Sequence, residues 1–178
     1  MTTTPGERMK QYILCALLAL LVACSDPASE VEVSQDPLLV ARNIDTQLDS
    51  LLVQATLKGN TASIATDIDN LRSLSIVLLS NAQTTHSQCG DYLAPVVSAV
   101  TSLASMAAVD IERQYLNEAA LPEFDDPLCY HIKELVVHPA FIEAQLTSLA
   151  GKEYNALTMQ IREMQEHLAL LYPSLRKK

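Results

Sequence analysis

The chain has 178 residues, of which 49% are hydrophobic, only 4% are aromatic and four are Gly. Sheet proteins need Gly at tight turns and bulges, and their strands favour aromatic and β-branched residues. The composition therefore predicts an all-α fold. The formal net charge of −9 opposes contact with a phosphate backbone, so we expect no nucleic-acid partner.

The N-terminal segment is typical of an export signal rather than of a folded domain. Arg8 and Lys10 precede an uncharged apolar run over residues 12–24. A run of about 13 residues is too short for a membrane span but fits the apolar part of a secretory signal. Because the residues before Met9 are unusual for a signal, we predict that translation starts at Met9 rather than at Met1.

The end of this run carries a more specific motif. Leu21-Val22-Ala23-Cys24 resembles the lipobox of bacterial lipoproteins, in which a Leu, a small or aliphatic residue and a small residue precede the lipidated Cys. The resemblance implies that residues 1–23 are removed and that acyl chains on Cys24 bind membrane lipid. The alternative is an ordinary cleaved signal with an incidental Cys.

The residues after the lipobox suggest where the protein is retained. In Gram-negative lipoproteins, an Asp directly after the Cys resembles an inner-membrane retention signal, and this chain has Ser25 there. The resemblance therefore implies an outer-membrane anchor with the domain in the periplasm, although Asp26 leaves the inner membrane open. The polar residues 24–35 are expected to form a tether.

Residues 36–178 are predicted to form one domain, an antiparallel bundle of four to five helices. Asp36-Pro37 and Asp126-Pro127 each combine an N-cap with Pro in the first turn. Gly59, Gly90 and Gly151 fall between periodic apolar segments, where helices end. The apolar periodicity predicts helices over residues 37–58, 61–84, 91–118 and 127–137, a further helical stretch to residue 150, and a last helix over 152–172.

Two prolines and a heptad pattern define the C-terminal part. His138-Pro139 predicts a kink or a new helix start, and Pro173 predicts the end of the last helix. We expect the small apolar residues of the 91–118 helix to make it the central one. The last helix has the spacing of a bundle seam, formed by Tyr154, Leu157, Ile161, Met164, Leu168 and Leu171.

Cys89 and Cys129 remain once the signal is removed, and an even pair in an exported chain predicts a disulfide. A helix over 91–118 would be about 42 Å long, yet the two Cα atoms must come within about 7 Å. Either that helix is shorter or kinked, or the segment 119–128 returns along it almost fully extended. Two free thiols are the alternative.

The best candidate for metal chemistry is a set of three residues, His131, Glu134 and His138, at spacings i, i+3 and i+7. Imidazole and carboxylate groups bind Zn²⁺ or Cu²⁺. However, His138 precedes a Pro and no fourth ligand has a recognisable spacing. We therefore interpret the three as a solvated polar face without a metal, and Glu163 with His167 as a surface pair.

No motif for a nucleophile, a phosphate-binding loop or covalent haem is present, so we expect neither an enzyme nor a cofactor. The first hypothesis for function is an anchored lipoprotein of the cell envelope that acts through contacts with another envelope protein, as a scaffold, an accessory subunit or an inhibitor or immunity factor. The alternative is a periplasmic helical bundle that binds a small ligand or a metal.

Overall fold

The computed structural model describes residues 36–146 and 154–176. The predicted signal, lipobox and tether lie outside these residues. The described part is helical and contains no strand, which confirms the all-α prediction. Its α-helices are α1 (Pro37–Thr56), α2 (Thr61–Thr85), α3 (Gly90–Ala99), α4 (Ala108–Ile111), α5 (Pro127–Leu146) and α6 (Tyr154–Leu175).

The four long helices α1, α2, α5 and α6 form the bundle, and polar contacts show that α1 and α6 are antiparallel. The Tyr154 hydroxyl, at the start of α6, donates to the Gly59 carbonyl just after α1 (2.9 Å). Further along α6, Gln165 Nε2 donates to Asp49 Oδ1 (2.8 Å). Contacts thus advance along one helix while they recede along the other, as in an up-and-down bundle.

Asp36 and Asp126 cap their helices as the sequence predicts, and Asn60 provides a cap that was not predicted. Asp36 Oδ1 accepts a hydrogen bond from the Leu38 amide (3.0 Å), and Asp126 Oδ1 accepts one from the Leu128 amide (2.9 Å). Asn60 caps α2 in the same way. Each such cap contributes about 1 kcal/mol to helix stability, which explains why three of the helix starts agree with prediction.

The core lies between the inner faces of the bundle helices. The predicted seam of α6 is buried from Leu157 to Leu171, while Tyr154 is half-buried. Full burial of each large apolar side chain stabilises the fold by about 1.5–3 kcal/mol. None of the described helices is long and apolar enough to cross a membrane.

The prediction of one central helix over 91–118 is wrong. The chain is α-helical only to Ala99, and it then passes through a 3₁₀ turn, the short α4 and a π-helical turn. Ser102 Oγ and Ser105 Oγ each donate to the carbonyl three residues earlier (both 2.9 Å). Such local bonds compete with helical ones, and they coincide with the break.

The central helix is instead α5. Every residue from Ile132 to Ile142 is buried, so α5 is enclosed by neighbours along three turns. It continues through Pro139 without restarting, although Pro139 has no amide hydrogen to donate to the Leu135 carbonyl. The burial of apolar side chains on all sides of α5 offsets the loss of this hydrogen bond. The predicted end at Pro173 is also wrong, since α6 continues to Leu175.

The Cys89–Cys129 disulfide is formed, with a Cα–Cα distance of 5.3 Å, and both residues are fully buried. It joins the turn before α3 to the first turn of α5. The conflict over helix length disappears because α3 has only 10 residues. The irregular segment 117–126 then has a short distance to cover.

Candidate metal centre

Helix α5 carries an unusual set of buried polar residues on the side that faces α6 and the π-helical turn. Lys133 is fully buried, and Glu134 and His138 are each only 3% exposed. The interpretation of Glu134 and His138 as part of a solvated polar face is therefore wrong. Burying such groups is costly unless they are paired, so their partners are informative.

Three potential metal ligands converge here. His138 Nε2 lies 3.0 Å from Oε2 of Glu134, which is one turn earlier on α5. His167 projects from α6, and one ligand atom from each of Glu134, His138 and His167 lies within 4.8 Å of the other two. His167 is half-buried rather than a surface residue, and it adds a third potential ligand from α6 to the two on α5.

Each of these three residues has a further hydrogen-bonding partner. Glu134 Oε1 accepts from Lys133 Nζ (2.5 Å), while Oε2 faces His138. His138 Nδ1 lies 2.8 Å from Gln160 Oε1 on α6. His167 Nδ1 lies 2.9 Å from Nδ1 of His131. Outer contacts of this kind fix the orientation of metal ligands and the tautomer of histidines.

The protonation states also favour metal binding. Burial alone would raise the pKa of Glu134, but its hydrogen bond to His138 and the charge of Lys133 outweigh burial and lower that pKa to about 2. Burial lowers the pKa of His167 to about 4 and also lowers the pKa of His131. At neutral pH the carboxylate is thus ionised and His167 is neutral, the states that a metal requires.

Lys133 connects this cluster to the irregular segment. Its ammonium group lies 3.1 Å from both the Tyr115 carbonyl and Glu118 Oε1, and 4.5 Å from the centre of the Tyr130 ring. Glu118 has a left-handed backbone conformation (φ 59°). Such a conformation is strained in a non-Gly residue, and here it accompanies a carboxylate that pairs with the buried ammonium.

Glu118 also accepts a hydrogen bond from the Tyr92 hydroxyl (2.8 Å). Burial, followed by this bond and the nearby carboxylates, raises the pKa of Tyr92. Tyr92 therefore remains a neutral donor, and α3 is linked through Glu118 to the charged group in the bundle.

Two clefts flank Tyr130. The smaller one, about 230 Å³, is here called the entry cleft. It is lined by Glu112, Leu116, Asn117, Tyr130, Glu134, His138, Phe141, Gln160 and Glu163. The larger one, about 520 Å³, has His131 and the acidic residues Glu118, Asp125 and Asp126 in its wall. The entry cleft gives solvent a route to two of the three potential ligands.

Two imidazoles and one carboxylate suit Zn²⁺ or Cu²⁺. In a tetrahedral zinc site with bonds of about 2.0–2.1 Å, donor atoms lie about 3.3 Å apart. The 3.0 Å between His138 Nε2 and Glu134 Oε2 is close to this spacing, and the His167 ligand atom lies within 4.8 Å of the ligand atoms of both.

No known protein family, curated protein or solved structure matches this chain.

Proposed function

We propose that this protein is a lipid-anchored helical bundle of the bacterial cell envelope that binds one Zn²⁺ or Cu²⁺ ion. The proposed ligands are Glu134, His138 and His167. The observation that carries the proposal is that each of the three has its own outer hydrogen-bonding partner. Outer contacts of this kind orient metal ligands, and one ligand atom of each residue lies within 4.8 Å of the other two.

The contacts of His138 support a cation at this point. If its Nδ1–H donates to Gln160 Oε1 (2.8 Å), then Nε2 presents a lone pair to Glu134 Oε2 only 3.0 Å away. Two lone pairs at that distance repel each other unless a cation lies between them. In the metal-free protein a hydrogen bond joins His138 Nε2 and Glu134 Oε2 instead, and on metal binding these two atoms would hold the same ion.

The proposal is tested by measuring the zinc content of the protein after equilibration with Zn²⁺ and removal of unbound metal by gel filtration. We expect one zinc ion per chain in the wild type and none above background in Glu134→Gln or His167→Phe. Of the four histidines of the chain, His86 is the one that lies far from this cluster in sequence, between α2 and α3. His86→Ala is therefore the matched control and should retain zinc. Equal zinc in all four proteins would refute the site.

The anchor and its location are proposed on the resemblance of the lipobox alone. We expect the mature chain to begin with acylated Cys24, and a Cys24→Ser variant to lose incorporation of labelled palmitate. If the variant were labelled like the wild type, the anchor would be wrong. The acyl chains would hold the metal-binding domain in the periplasm near the outer membrane.

A second candidate function is contact with an envelope protein. A shallow cleft between α1 and α6 is lined by Leu52, Val53, Thr56, Leu57 and Arg162, and Val53 and Leu57 are 58% and 76% exposed. Exposed apolar residues grouped in this way are typical of interaction surfaces. This function is tested by crosslinking in intact envelopes, with the wild type compared with Val53→Ser. Identical crosslinks from the wild type and the variant would argue against this function.

A further inference from the structure

We propose that a metal ion held by Glu134, His138 and His167 keeps one coordination position open to the entry cleft, and that this position takes a neutral nitrogen donor such as an imidazole. This inference rests on the proposed function, because it concerns the same site. An open coordination position is typical of a site that exchanges its metal or binds an external ligand, whereas a structural metal site is closed by protein ligands.

The open coordination position is inferred from the number of protein donors. Structural zinc sites are closed by four protein ligands, whereas sites that bind an external ligand use three. Among the described residues, the convergent group contains three donors. His131, the nearest further imidazole, is already engaged with Nδ1 of His167 (2.9 Å). We therefore assign His131 to the outer shell of His167 and the fourth coordination position to a ligand from outside the cluster.

The entry cleft leads to this position. Glu134 and His138 line it together with Gln160, the outer partner of His138. A water molecule takes up about 30 Å³ in the liquid, so the cleft of about 230 Å³ has room for a five-membered ring. Leu116 and Phe141 contribute apolar walls against which such a ring can lie.

The negative charge at the entry cleft determines which class of external ligand can reach the metal. Glu112 and Glu163 are exposed residues at the cleft, and none of the residues that line it is Lys or Arg. Two carboxylates attract an incoming metal cation and repel an anionic ligand. A neutral nitrogen donor reaches the metal without this repulsion. The histidine side chain of a protein that delivers or receives the metal has this chemistry.

The test uses the full-length protein loaded with Co²⁺, whose visible spectrum reports coordination. Bound cobalt is first counted, and imidazole or azide is then titrated. We expect a saturable spectral change with imidazole at a concentration at least tenfold below that needed for azide. Stoichiometric cobalt without a response to imidazole would overturn the open position alone. Azide binding as tightly as imidazole would overturn the charge argument, and absence of bound cobalt would overturn the proposed function as well.

A pair of rim variants separates charge from structure. Glu112→Gln combined with Glu163→Gln should tighten azide binding roughly fivefold to tenfold, as expected for two unit charges in a largely aqueous dielectric, and leave imidazole binding unchanged. Glu166→Gln is the matched control, since Glu166 is exposed on the same helix and does not line the entry cleft. An equal effect of the control on azide would contradict the role of the rim.

Discussion

Replacing Lys133 by Met should destabilise the protein strongly. The Lys133 ammonium is fully buried and donates to Glu134 Oε1 (2.5 Å) and the Tyr115 carbonyl (3.1 Å), with Glu118 Oε1 also 3.1 Å away. Met fills a similar volume but leaves the Glu134 carboxylate buried without this cation. Breaking a buried ion pair on one side costs about 3–5 kcal/mol, and we expect about 3 kcal/mol because His138 still contacts Glu134. That is a large part of a typical stability of about 5–15 kcal/mol.

The assay is urea unfolding of the metal-free protein at pH 7, with the free energy of unfolding taken from the transition. Arg113→Met is the matched control, because the Arg113–Asp110 pair is exposed (65% and 40%) and should contribute less than about 1 kcal/mol. Lys133→Met combined with Glu134→Gln should recover part of the loss, since no ionised carboxylate then remains at position 134. A loss below 1 kcal/mol for Lys133→Met would refute the reasoning.

Three further predictions concern stability. Replacing Cys89 and Cys129 together by Ala should lower the free energy of urea unfolding by roughly 4 kcal/mol for a sequence separation of 40; a loss below 1 kcal/mol would contradict this. The pKa of His167 is lowered from its ordinary value of 6.5 to about 4 in the folded protein, so its contribution to metal-free stability is present above pH 6.5 and declines as pH falls towards 4. His167→Phe should flatten this part of a urea-midpoint profile against pH, and an unchanged slope would count against it. Lys58 has a left-handed backbone conformation (φ 53°) after α1, which Gly adopts without strain. Lys58→Gly should therefore increase the free energy of unfolding by about 0.5–1 kcal/mol and raise the thermal midpoint. A lowered midpoint would show that the strain argument fails.

Local signals predicted most of the bundle. The ends of α1 and α2 lie within about two residues of the predicted ones, because Asp36 and Asn60 cap their starts and Gly59 follows the turn between them. The third helix was mispredicted because its apolar spacing continues through Ser102 and Ser105. Only the structure shows that these side chains bond back to the backbone, where they accompany the break.

The candidate site was predicted only in part. Helical spacing placed His131, Glu134 and His138 together, but their burial depends on α6 and on the segment that precedes α5. His167 is 36 positions from His131, and only the antiparallel pairing of α5 with α6 brings them into contact. Lys133 carries a charge that usually indicates a solvent-exposed position. Its burial follows from partners that no local pattern reveals.

X-ray absorption at the zinc edge of the zinc-loaded protein tests the central claim most directly. We predict one bound zinc ion with two imidazole nitrogens and oxygen donors at about 2.0–2.1 Å, and no zinc above background in His167→Phe. A zinc ion coordinated only by water, or a protein that retains no zinc, would contradict the metal centre formed by Glu134, His138 and His167.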